Sequence, residues 1–200
     1  MKSINLLLLI SLLLLYGCSK TPEEAFNEAK QVNNVKAYKN FLNKYQNNEY
    51  TEEAKNLLYG LHFENAENQD TITAYEDFIT NCPENKFTDE AKNKLHGLYD
   101  KAIKTVLASI NKPNRGTPFS VKLRNFDYST GTLNITYRVP GFRAGSALLG
   151  MLVAGQSITD IAQAEQKQKQ INSRWVSEHN EYIKKNLRFV KKLNYKVFKK

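Results

Sequence analysis

Residues 35–61 (VKAYKNFLNKYQNNEYTEEAKNLLYGL) and 72–98 (ITAYEDFITNCPENKFTDEAKNKLHGL) align without a gap at an offset of 37, with 12 of 27 positions identical. Nothing else in the chain restricts its fold as strongly. One unit of this length cannot bury its own apolar face, so units stack, and the expected architecture is a helical solenoid. Val35, Tyr38, Phe41 and Leu42 recur at helical spacing, as do Ile72, Tyr75, Phe78 and Ile79. Asn33 and Asp70 stand where a helix N-cap is expected. A second helix of each unit opens at Thr51-Glu52-Glu53 and Thr88-Asp89-Glu90, where threonine can cap and the acids favour the positive end of the helix dipole. Ala54, Leu58 and Leu61, matched by Ala91, Leu95 and Leu98, form the expected inner stripe.

An earlier helix begins at Thr21-Pro22-Glu23-Glu24, which has a capping threonine, proline in the first turn and a glutamate completing a capping box. The repeats resemble the tetratricopeptide-type repeats of bacterial outer-membrane lipoproteins, such as the β-barrel assembly lipoprotein and the Tol-Pal coordinator. The resemblance rests on Ala37, Tyr38, Phe41, Tyr45, Tyr50, Glu53, Ala54 and Leu58, and on Ala74, Tyr75, Phe78, Pro83, Phe87, Glu90, Ala91 and Leu95. It implies a protein-interaction module in the cell envelope. Read as residues alone, these aromatics are core packing.

The start of the chain fits that compartment. Leu6 to Leu15 is apolar except for Ser11, follows Lys2, and is too short for a membrane-spanning helix, which needs about 20 residues. It reads as the apolar region of a secretory signal. Leu15-Tyr16-Gly17-Cys18 resembles the lipobox of bacterial lipoproteins, which implies cleavage of residues 1–17 and lipidation of Cys18. Ser19 after the cysteine, by the same resemblance, implies sorting to the outer membrane, facing the periplasm. With Cys18 lipidated, Cys82 has no partner, so no disulfide framework is expected.

Charge divides the chain. Residues 19–108 hold 11 Lys/Arg and 15 Asp/Glu, whereas 109–200 hold 17 and 5. Pro113, Gly116 and Pro118 mark a linker over 111–118 between an acidic module, 18–110, and a basic one, 119–200. In the basic half, Phe119, Val121 and Leu123 alternate with polar residues, as do Leu133, Ile135, Tyr137 and Val139. With Ser129-Thr130-Gly131 as the turn, these form a hairpin whose other face carries Lys122, Arg124 and Arg138. The apolar stretch 144–155 reads as a buried helix or loop under the sheet, or as a membrane contact. A long helix is expected from Ser157 to about Val190, with an apolar stripe of Ile158, Ile161, Ile171, Trp175, Tyr182 and Ile183. Leu193, Tyr195 and Val197 alternate and can supply the third strand that a marginal two-stranded hairpin needs. The fold class is therefore α+β: a helical repeat followed by a small hairpin-plus-helix module.

No catalytic pattern emerges. His62, His96 and His179 lack Cys, His or Asp neighbours at metal-ligand spacing. Cys82 has no local base, Gly145, Gly150 and Gly155 lead into no phosphate loop, and no nucleophile elbow occurs. No cofactor is implied. The expected function is that of a non-enzymatic adaptor, tethered through lipid on Cys18, whose repeats bind an envelope protein. The rival expectation makes the basic module an anionic-surface binder with the repeats as spacer. Lys184, Lys185, Arg188, Lys191, Lys192, Lys196, Lys199 and Lys200, eight cations with no acid among residues 184–200, would then meet anionic lipid or an acidic envelope polymer. Export argues against nucleic acid.

Overall fold

The computed structural model describes residues 20–82, 84–142 and 158–199. The apolar leader, Cys18, Pro83, the 144–155 stretch and Lys200 lie outside the described residues. The architecture is mixed α/β. Five helices come first: α1 (Pro22–Val32), α2 (Val35–Lys44), α3 (Thr51–Gln69), α4 (Ile72–Asn81) and α5 (Thr88–Asn111). Strands β1 (Ser120–Asp127) and β2 (Thr132–Val139), helix α6 (Ile158–Asn186) and strand β3 (Lys192–Lys199) follow. The chain divides into two compact units that meet at Leu95/His96, within α5. The turns at 112–118 belong to the second unit.

In the first unit, local chemistry sets the helix ends. Thr21 accepts from the Glu24 N–H at 3.2 Å while its own N–H donates to the Glu24 carboxylate at 2.9 Å, completing the expected capping box. The N-caps of α2 and α4 are Asn34 and Thr71, each accepting from an alanine N–H three residues on. Asn33 and Asp70 instead end the preceding helices in the left-handed conformation, at φ 43° and 44°. The shift of one residue has a plain cause: Asn and Asp tolerate left-handed backbone, so the same residue types serve as helix stops as well as starts. The threonines that open α3 and α5 also act differently from expectation. The Thr51 and Thr88 hydroxyls accept from the backbone N–H of Asn48 and Asn85, at 3.0 and 2.9 Å, and so brace the corner ahead of the helix.

The core of this unit is built twice. Phe26, Ala29, Tyr38, Phe41, Ala54 and Leu58 form one buried cluster. Adding 37 to each number gives Phe63, Ala66, Tyr75, Phe78, Ala91 and Leu95, all buried as well. Ala54 and Ala91 are fully buried, which is what lets the facing helices approach closely.

The second unit is a three-stranded sheet of order β1-β2-β3 with helices on one face. β1 and β2 are antiparallel, with a bulge at Arg124, and β3 joins β2 in parallel. Leu133, Ile135, Tyr137 and Val139 of the central strand meet Ile103, Leu107 and Ile110 of α5, Val176 and Ile183 of α6, and Leu187 just after it in one core. Burial of side chains of this size stabilises by about 1.5–3 kcal/mol each. The expected stripe on α6 needs correction. Ile171 and Tyr182 are 45% and 41% exposed; Ile183 is buried as expected, with Val176 and, just past the helix, Leu187. Asn172 is buried beside them, donating to the Pro140 carbonyl at 2.8 Å and accepting from Gln168 at 3.0 Å.

Candidate interaction surface

Where the helices pair, they leave grooves. The first lies between α1 and α2, holds about 500 Å³, and is lined by Ala25, Glu28, Val32, Lys36, Ala37, Asn40, Phe41 and Lys44 among others. The second lies between α3 and α4, holds about 110 Å³, and is lined by His62, Asn65, Gln69, Thr73, Ala74, Asp77, Phe78 and Asn81. Each residue of the second groove is one of those eight residues of the first moved by 37. The same surface is therefore presented twice with different side chains.

The floor is common to both: alanine and phenylalanine at positions 37 and 41, and again at 74 and 78. The walls differ. In the first groove Ala25 is small and Val32 stands 53% exposed, so the hollow is open and partly apolar. Its rim is cationic at Lys36 and Lys44, while Lys20 is tied to Glu28. Tyr45 closes one end, its hydroxyl donating to the Lys20 carbonyl at 2.8 Å. In the second groove His62 replaces Ala25 and fills space. Burial, and then the nearby Lys39 charge, hold the His62 pKa below its ordinary 6.5. Asn65, Gln69, Thr73, Asp77 and Asn81 line the rest. Amide side chains both donate and accept, which suits them to the backbone of an extended polypeptide.

The series stops at the third position. Moving His62, Asn65 and Gln69 by another 37 gives Tyr99, Ala102 and Val106. These pack inside the second unit: Tyr99 stacks on Phe189 at 4.1 Å, and Ala102 and Val106 lie against its core. Apolar residues at these positions turn the groove-lining face of the helix into a core face.

The remaining candidates are dispersed. Lys184, Lys185 and Arg188 are exposed around the end of α6, and Lys191 starts the approach to β3. Lys192 and Lys196 share the face of β3 opposite the core, whereas Lys199 takes the register of Val139, on the core side. The seven of these cations that are described do not form one patch. His96 stacks on Tyr128 at 3.9 Å, and His179 sits on Trp175 at 4.3 Å. Cys82 is buried, and burial pushes its thiol pKa up, away from nucleophile behaviour. Among the described residues no group of His, Cys, Asp and Glu is arranged to hold a metal ion, and no helix is long and apolar enough to cross a membrane.

The sequence repeat pointed to Ala37, Phe41, Ala74 and Phe78 but only as core. The grooves themselves are not legible in the sequence, because α1 shares little with the second half of α3 beyond Phe26/Phe63 and Ala29/Ala66. Comparison with protein-family models, with curated proteins and with solved structures found no match.

Proposed function

We propose that this protein is a non-enzymatic adaptor of the bacterial cell envelope, with tetratricopeptide-like helical repeats that bind one segment of a protein partner. The observation that carries the reading is the pair of grooves at one offset of 37. A surface presented twice at fixed spacing suits a ligand that is itself extended. The apolar floor accepts side chains, and the amide walls satisfy backbone N–H and C=O groups that lose water on binding. The exposed Val32 supplies an apolar anchor at the first groove. In this reading residues 1–17 are a signal, lipid on Cys18 is the tether, and the protein faces the periplasm from the outer membrane. The reading assigns no catalytic chemistry to the chain.

Photo-crosslinking tests it. A benzophenone side chain replacing Val32 and, separately, Gln69 is expected to capture the same envelope protein in cells. Different proteins from the two positions, or none from either, would overturn the adaptor reading. The tether is tested apart: Cys18→Ala is expected to leave an uncleaved chain that takes up no palmitate, and unchanged labelling would refute lipidation.

A further inference from the structure

The strand pairing gathers a second surface that the sequence scatters. On the face of the sheet away from its core, the register sets Lys122, Thr136 and Lys196 in one row, and Asn125, Asn134 and Asn194 in the next. Arg138 stands opposite Ser120 and Phe198 on the same side, and Lys192 opposite Thr132. The bulge residue Arg124 lines a shallow hollow of about 370 Å³ on this face with the three asparagines and Lys196. Five cations from three strands therefore share one face. Their sequence separations run up to 74 positions, from Lys122 to Lys196.

None of the ion pairs between described residues involves any of the five. The only carboxylate on the three strands is Asp127, at the end of β1 in the row of Thr132 and Lys192, where the turn engages it. One of its oxygens accepts from the Ser129 hydroxyl at 2.7 Å and the other from the Thr130 hydroxyl at 2.8 Å, which holds its pKa down. Strands lie about 4.8 Å apart and same-face residues about 7 Å apart along a strand. No two of the five are directly opposite one another, but diagonal neighbours fall within a Debye length of about 10 Å, so the like charges repel and an external anion relieves that repulsion.

We propose that this face docks on an anionic phospholipid bilayer. The face carries five cations and no ion pair among the described residues, which matches a surface of headgroup phosphates. Phe198, 55% exposed beside Arg138, is an aromatic placed to enter the interface. Single-stranded nucleic acid takes several stacking aromatics, and Phe198 is the one aromatic of the three strands on this face among the described residues. The asparagine row, with Asn194 donating to Asn134 at 3.2 Å, keeps further amide hydrogens for phosphate oxygens. This inference uses the second unit alone and stands whether or not the grooves bind a partner.

The full-length chain is sedimented with vesicles of phosphatidylcholine, and of phosphatidylcholine with one third phosphatidylglycerol. Any apolar anchor contributes to both, so the anionic-to-neutral partition ratio isolates the charged face. A ratio of at least about tenfold at low salt is expected, falling toward one as salt screens it. Changing Lys122, Arg124, Arg138, Lys192 and Lys196 together to Gln should abolish the preference with the thermal midpoint retained. Changing Lys184, Lys185, Arg188 and Lys191 to Gln should leave it largely in place. In Phe198→Trp, emission beyond that of Trp175 should be quenched by brominated anionic lipid. A wild-type ratio near one, a preference lost with the helix-end variant instead, or tight binding to single-stranded DNA without vesicle preference would each overturn the proposal.

Discussion

Phe63 stacks on Phe87 with ring centroids 5.1 Å apart. Thirty-seven residues earlier, Phe26 stacks on Tyr50 at the same 5.1 Å. Each phenylalanine also meets the aromatic of the following short helix at 5.4 Å, Phe26 with Phe41 and Phe63 with Phe78. Two copies of one aromatic cluster thus hold the first unit together, each joining one helix to the short helix after it and to the residue just ahead of the next.

Removing the ring at the centre of either cluster should be costly. Phe26→Ala and Phe63→Ala each delete a nearly buried ring and leave a cavity, and each is expected to lower stability by about 3–5 kcal/mol in urea unfolding. A loss below about 1 kcal/mol for both would show that the clusters do not anchor the helices.

The cap assignment can be tested at adjacent residues. Thr71 accepts from the Ala74 N–H, so Thr71→Ala should cost about 1 kcal/mol. Asp70 stands at φ 44° as a helix stop, so Asp70→Gly should be neutral or stabilising, since glycine has no side-chain penalty there. The opposite ranking, read from thermal midpoints of the two variants, would move the cap back to Asp70.

Much of the first unit was legible in the sequence, because repeated identities at helical spacing report packing directly. Ala54, Ala91, Phe41 and Phe78 are buried where the periodicity places them. Cap positions were off by one because Asn33-Asn34 and Asp70-Thr71 each offer two capping residues in a row, and only backbone conformation chooses between them. The second unit was legible strand by strand but not in its assembly. Alternation in 193–197 announces a strand and says nothing of a parallel partner 60 residues away. On α6 the polar stretch breaks the periodic signal, so the sequence does not separate core Ile183 from Tyr182, whose hydroxyl lies 3.1 Å from that of exposed Ser109. Both surfaces of interest depend on register: the grooves on an offset that extends into poorly matched α1, the cationic face on pairing between distant strands.

His62 should make stability depend on pH. Its folded pKa lies below 6.5 because burial and Lys39 disfavour the charged form. Well above 6.5 both folded and unfolded chains carry neutral imidazole, and the residue contributes no pH dependence. As pH falls below that, the unfolded chain takes a proton that the folded chain resists, so stability declines down to the folded pKa and then levels. His62→Gln should lose this component. Urea midpoints of the two proteins at pH 7.5 and 5 are the measurement; an identical change in both would show that His62 is not held neutral by the fold.

Gly131 joins the hairpin to β3, and its replacement should be the most damaging of any in that turn. Its carbonyl accepts from the Lys191 N–H at 2.9 Å and the Lys192 N–H at 3.3 Å, seating the start of the third strand. Its backbone sits at φ 65°, which costs an ordinary L-residue about 1–2 kcal/mol. A Cβ there would stand 3.0 Å from Lys191 Cγ and 3.2 Å from the Phe189 carbonyl oxygen. The lysine stem can move aside, but the carbonyl belongs to the backbone. Gly131→Ala is therefore expected to destabilise by about 1–3 kcal/mol in chemical unfolding. Adding Lys191→Ala should recover little, because the φ penalty and the Phe189 contact remain. Full recovery in that double variant would place the strain in the lysine side chain, and an unchanged single variant would refute the left-handed turn.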